Sequence, residues 1–371
     1  MKERKLCLGD RTAVLVSLCL LLGAGLFALL WPHGEFSDAE RRYLASVPSA
    51  PSLISWKTDK ETENYLADRV PFRTLLVGID SCAQVATGRR TLLETWPAAG
   101  AFLEQPVSAA AEKAERRLRQ FETLAGKIGA DWQVVVPRTN GYLRRGRMNS
   151  LLRMQYEQEE AIYGALTSDT HFLDVLPDGT DADEVYYRTD HHWNLQGAYL
   201  AYAACCGADG LPVYELEEFE RTSFDGFFGT TRSRSGLPAL QGDVLECAEP
   251  KGAVTMTVAD NGETYDRLIF AERTKTYDGY AVYLDGNHGL LEIENPDAPG
   301  GTLLVYKDSF ANCLLPLLAA DYRKIIAVDA RYYGGTFSQA AEAAGPVDKV
   351  LFVYSPDSLV NDTSVAGKVG R

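Results

Sequence analysis

The chain has 371 residues, of which 46% are hydrophobic and 24% charged, with seven cysteines and a formal net charge of −14. This is the composition of a folded protein with one large domain or two ordinary ones, and it sets disorder aside. So acidic a surface repels phosphate backbones and argues against nucleic acid as a partner, while a chain of this size without a CxxC pair argues against a disulfide-stapled scaffold, a zinc ribbon or a thioredoxin-type site.

In chain order, Lys2, Arg4, Lys5 and Arg11 precede an uncharged run over residues 12–31. At helical rise that run reaches about 30 Å, the thickness of a bilayer's hydrocarbon core. The expectation is a cytoplasmic tail and single transmembrane anchor over 1–31, with the rest of the chain exported and extracytoplasmic. A cleaved signal peptide is the competing reading, but the run is long for one and no small-x-small cleavage site follows. On this division residues 1–31 carry +2 and the exported part −16. Residues 32–106 read as a juxtamembrane linker and N-terminal helices, with a short helix near 62–67.

An α/β domain is expected over 107–371. Residues 107–130 lack proline and are rich in Ala, Glu, Arg and Leu, a helix by propensity. "DWQVVVPR" reads as a buried strand, residues 141–167 as a second helix and "HFLDVLP" as another strand, followed by an acidic loop. Asn194 can cap the next helix, whose stripe Leu195, Ala198, Tyr199 and Tyr202 ends at Gly207, Gly210 and Pro212. Residues 211–300 alternate around Asn-Gly and Gly-Asn turns, the pattern of an antiparallel β insertion. From Gly301 strands and helices alternate again, which predicts a parallel sheet covered on both faces.

Two stretches could carry chemistry. "VYKDSF" places Ser309 on a sharp strand-to-helix turn, where the following helix offers free amides to a developing oxyanion. "TDHHWN" places Asp190 two residues before His192, so that in an extended loop both side chains fall on one side and the carboxylate can fix the imidazole. His191 should then point the other way, as a structural or substrate-contacting residue. A serine hydroxyl needs such a base to become a nucleophile.

These stretches, with "VDARYY" and the membrane-proximal "SDAERRYLASVP" and "YLADRVPFR", resemble the bacterial DHHW-motif proteins and, more distantly, the SGNH-hydrolase-like polysaccharide O-acetylation proteins of the alginate system. The resemblance implies a permuted SGNH-like fold in which Asp190, His192 and Trp193 match an Asp-x-His-Trp motif and Ser309 supplies the nucleophile. It implies acetyl transfer to, or removal from, an extracytoplasmic glycan, with an acyl donor, no cofactor, and a membrane-bound acyltransferase as a further partner. Gly-Asp-Ser of ordinary SGNH enzymes is Lys307-Asp308-Ser309 here, and no Gly-x-Asn-Asp block is present. Candidates for the second oxyanion donor are the backbone at Gly334, Gly335 and near Ser355.

Blander readings stand beside these. Asp190 could simply cap a helix, and a silent surface protein that binds polysaccharide or an acyltransferase partner would retain the same scaffold. Asp190, His191 and His192 with Asp178, Asp181, Asp183 and Glu184 could ligate a metal, but neighbouring side chains point apart and no second His motif completes a shell. Tyr186, Tyr187, Trp193, Tyr332 and Tyr333 are candidates for a sugar-stacking surface or for core. Arg138, Arg188 and Arg331 could bind an anionic group or form structural ion pairs. Cys313 reads as core, and Asn287 and His288 as turn residues. The substrate-binding set on this reading is His191, Trp193, Arg331, Tyr332 and Arg138.

Overall fold

The computed structural model describes residues 8–31, 34–37, 42–47, 58–108, 111–238 and 241–369. Much of the expected linker lies outside these residues. The chain divides into two units, one made of residues up to 88 with 236–238 and the other of 89–235 with 239–371.

The first unit contains helices Leu8–Leu30, Thr58–Asp68 and Arg73–Ala86. Among the described residues no helix is long and apolar enough to cross a membrane. This overturns the transmembrane anchor expected over 1–31 and the single-pass membrane location built on it.

The second unit is built on a sheet that has eight strands among the described residues. In chain order they are β1 (Asp131–Val135), β2 (Phe172–Leu173), β3 (Thr255–Val258), β4 (Glu263–Tyr265), β5 (Leu290–Glu294), β6 (Gly300–Lys307), β7 (Tyr322–Asp329) and β8 (Lys349–Val353). Their spatial order is β4-β3-β5-β7-β6-β8-β1-β2. From β7 to β2 the pairs are parallel, and β5, β3 and β4 extend the β7 side antiparallel. The apolar runs of β6 and β8 follow from this position, because central parallel strands are buried on both faces.

Alternation along β6 separates the two cores. Leu303 and Val305 face one cluster with helix α2 (Leu195–Asp209) and helix α3 (Ala311–Leu318), while Leu304 and Tyr306 face another with helix α1 (Ala111–Ile128) and helix α4 (Phe337–Ala344). Helix α1 buries Ala114, Leu118, Phe121 and Ala125 as one stripe, and Phe121 stacks on Phe352 at 3.9 Å. Asn194 caps α2 by accepting from the Gly197 amide, as its position suggested.

Three expectations change. The helix expected over 141–167 breaks into Asn140–Arg144, Ser150–Glu157 and Glu160–Thr167, because Asn149 starts a new helix by accepting from the Leu152 amide. The β-rich stretch is less a separate insertion than an extension of the main sheet, plus a ribbon of Glu220–Phe227 with Asp243–Glu249. Its second expected hairpin is absent: Gly279–Val282 is a 3₁₀ turn, and β5 pairs with β3 and β7. The connection holds Leu284 and Asp285 at φ 59° and 60°, a left-handed conformation incompatible with a continuing strand.

Candidate active site

Ser309 sits where β6 ends and α3 begins, at the carboxyl edge of the parallel strands. Asp308 fixes the turn: its amide donates to the Val353 carbonyl at 3.0 Å, its Oδ1 accepts from the Phe310 amide at 2.9 Å, and its Oδ2 accepts from the Ser355 amide at 2.8 Å. Beneath the serine, fully buried Lys307 donates to Asn312 Oδ1 at 2.7 Å and lies 3.8 Å from Asp329 Oδ2. Burial pushes the Lys307 ammonium below its ordinary range, and the Asp329 carboxylate opposes that shift. The Ser309 amide donates to no acceptor among the described residues, and Ser309 lines the pocket described below.

The Asp-His-His-Trp tetrad forms a bend closed by an antiparallel bridge between Tyr186 and Trp193. Fully buried Asp190 accepts through Oδ1 from the His192 amide at 2.9 Å and contacts His192 Nδ1 at 2.6 Å. His192 Nε2 lies 2.8 Å from Ser309 Oγ. With the proton on Nδ1 facing the carboxylate, Nε2 is left to accept from the serine hydroxyl.

Residues from the β-rich stretch hold this bend. Asp190 Oδ2 accepts from the Thr230 amide at 2.6 Å. A Cβ at Gly229 would come 2.2 Å from Asp190 Oδ2, so only glycine allows so close an approach. Thr189 donates from its amide and hydroxyl to Asp243 Oδ2 at 2.8 and 2.6 Å. Tyr280 stacks on the His192 ring at 3.8 Å with planes 4° apart. Trp193 is fully buried and donates from Nε1 to the Phe310 carbonyl at 2.9 Å, which ties the tetrad to the serine turn.

The remaining sequence-derived residues divide. His191 and Arg331 line a cavity of about 490 Å³ that also contains Ser309. His191 does not point away from His192: the rings lie 3.9 Å apart and His191 Nδ1 is 3.3 Å from Asp190 Oδ1, because the chain bends here and is not extended. Arg331 is held by Asp329 through Nε at 2.9 Å and Nη2 at 2.6 Å. Tyr332 is exposed but is not among the residues lining this cavity. Trp193 and Arg138 cannot contact substrate as expected, Trp193 because it is buried and Arg138 because it is buried against Asp174 and the Leu176 carbonyl. Tyr186 and Tyr187 are core. Arg188 bonds Asp243. The Ser355 amide is spent on Asp308, which removes it as an oxyanion donor.

For a metal, Asp190, His191 and His192 offer ligand atoms within 4.8 Å of one another. Both His192 nitrogens already have partners, so an ion there would have to displace the serine contact. The acidic loop does not complete a shell: Asp178 pairs with Arg145, Asp181 with Arg147, and Asp183 with Arg144 and Arg147.

Sequence reasoning missed one wall of the cavity. Strands Thr95–Ala98 and Ala101–Glu104 form a hairpin, clipped to the segment just before the tetrad by the Phe102 amide donating to the Arg188 carbonyl at 2.8 Å. The wall brings Glu94 and Glu104 to the cavity, and helix Thr230–Ser235 adds Arg234. The one local signal is Ala99-Gly100, both left-handed, between two short apolar runs.

A family model described as DHHW protein matches residues 171–328, which include the tetrad and Ser309. The chain therefore resembles DHHW proteins over that stretch. No curated protein sequence matches. Among solved structures, a DHHW family protein from Eubacterium siraeum is 18% identical, covering 75% of this chain and 96% of its own, with a TM-score of 0.63. Bacillus cereus PatB1, solved with a sulfonyl adduct, is 20% identical over 73% of this chain and 97% of its own, with a TM-score of 0.60. The O-acetyltransferase domain of Pseudomonas putida AlgJ also matches, at 15% identity over 70% of this chain and 91% of its own, but its TM-score of 0.37 leaves nothing to argue from. The first two share with this chain a mixed α/β fold with a large sheet and flanking helices.

Proposed function

We propose that this chain is an SGNH-like serine O-acyltransferase or esterase acting on the hydroxyls of a cell-surface glycan. The reading rests on one observation: Asp190, His192 and Ser309 lie in an unbroken hydrogen-bonded line that ends in a cavity. In the proposed reaction Ser309 Oγ attacks an acyl ester or thioester while His192 Nε2 takes its proton. Asp190 holds the imidazole and balances the charge it gains. The oxyanion is met by the Ser309 amide. Collapse expels the donor's alcohol or thiol with the proton from His192, leaving acyl-Ser309, and water or a sugar hydroxyl then takes the acyl group by the same steps reversed.

A sulfonyl adduct is what forms when a sulfonyl reagent captures an activated nucleophile. Its presence in PatB1 supports a nucleophile in this fold. A purely glycan-binding role would be favoured by a serine out of reach of the histidine, and the 2.8 Å contact is the opposite arrangement. The test pairs a chromogenic acetate ester with phenylmethylsulfonyl fluoride. Wild-type protein should hydrolyse the ester and carry the sulfonyl group on Ser309 by mass spectrometry. Hydrolysis undiminished in Ser309→Ala would reject the mechanism.

A further inference from the structure

Glu104 is a cavity-lining carboxyl that the proposed mechanism leaves without a task. It ends the hairpin wall and shares the cavity with Ser309, His191 and Arg331. Its backbone is fixed, since Tyr156 donates from its hydroxyl to the Glu104 carbonyl at 2.5 Å and the Val107 amide donates to Glu159 Oε1 at 3.0 Å just beyond. Its side-chain oxygens have no hydrogen-bond partner among the described residues, whereas Arg331 is occupied by Asp329. Glu104 is half-buried and its oxygens are not among the buried atoms left without a partner, so they stay open to a hydroxyl that enters the cavity shared with Ser309.

On the serine-acyl reading, we propose that the Glu104 carboxyl hydrogen-bonds the sugar hydroxyl that attacks acyl-Ser309, and so makes the cavity prefer a sugar over water as acyl acceptor. In that step the sugar oxygen bonds the acyl carbon, its proton passes to His192, and the bond from the acyl carbon to Ser309 Oγ breaks. Ser309 Oγ takes the proton back from His192. Burial and the nearby carboxylates Glu159, Asp357, Asp190 and Asp308 push the Glu104 carboxyl well above its ordinary range. A carboxyl accepts from a sugar hydroxyl in either protonation state and, when protonated, donates to it as well. Water needs no such guide because it can enter in any orientation.

The experiment measures partition. With p-nitrophenyl acetate as donor and chitopentaose as acceptor, the ratio of acetylated chitopentaose to free acetate is compared in wild-type, Glu104→Gln and Glu104→Ala proteins, with the KM for chitopentaose. Glu104→Ala should lower the ratio about tenfold, the worth of one well-made hydrogen bond, mainly through KM. Glu104→Gln, which keeps a neutral donor and acceptor, should stay within about threefold of wild type. An unchanged ratio in Glu104→Ala, equal loss in both variants, or no transfer by wild type despite ester hydrolysis would overturn the assignment. Failure of the serine reading itself looks different: Ser309→Ala would then hydrolyse the donor as well as wild type.

Discussion

The nucleophile and the base are held in contrasting ways. Ser309 is positioned by its neighbours in the parallel sheet, with Asp308 pinning the turn to the end of β8 and Lys307 and Asn312 closing the space beneath. His192 and Asp190 owe their placement to distant groups: the Thr230 amide, Gly229, Asp243 through Thr189, and Tyr280. The serine turn is therefore a local product of strand and helix, whereas the Asp190–His192 pair is held largely by the β-rich stretch that folds around it. That stretch, which reads from sequence as an insertion, is the clamp on the base.

The largest test of this contrast compares the two reacting groups. Ser309→Ala and His192→Ala should each lower ester turnover by roughly 10⁶-fold without additivity, as expected of residues acting as one unit. Additive losses would mean that the line from Asp190 to Ser309 is not used as a line. Next comes the clamp: in Gly229→Ala the added carbon must displace the Asp190 carboxylate, and kcat should fall about 100-fold because the wrong imidazole orientation leaves the serine without its base. Normal turnover in that variant would show that Asp190 tolerates movement.

Asp243→Ala leaves the buried Thr189 amide unpaired, while the Thr189 hydroxyl keeps the Phe227 carbonyl as acceptor, and should cost about 1–3 kcal/mol by denaturant unfolding, with a parallel drop in kcat. A stability loss with unchanged turnover would separate the clamp from the chemistry. Trp193→Phe removes a single bond to Phe310 and should cost about 1 kcal/mol. The smallest effect is expected from removing the Tyr280 hydroxyl, which is buried and has no partner among the described residues. Tyr280→Phe should change stability by less than about 0.5 kcal/mol and keep turnover, while Tyr280→Leu should lose turnover with the ring stack.

The same contrast explains what was legible in the sequence. "LLVYKDSF" announces a central strand and a serine turn because both are local, and Asn194 signals its helix for the same reason. Asp190 beside His192 suggests a pair by spacing alone, although the bend brings His191 alongside where an extended loop would have sent it away. Gly229, Asp243 and Tyr280 carry no such sign. Their partners lie 40 or more residues away along the chain for Thr230 and Asp243, and no periodicity encodes a contact of that kind. Arg138 and Trp193 were expected at the substrate because their residue types suit it, but type does not report burial. The wall carrying Glu104 escaped notice because two four-residue strands are too short for alternation to stand out.

The separation of 117 residues between His192 and Ser309 has a consequence for how the molecule forms. Closing so long a loop costs conformational entropy before any contact rewards it, so joining the two ends is a late event in assembly. A chain returning from denaturant should recover its helical circular dichroism first and its capacity to turn over ester last, passing through an inert intermediate that already resembles the finished protein.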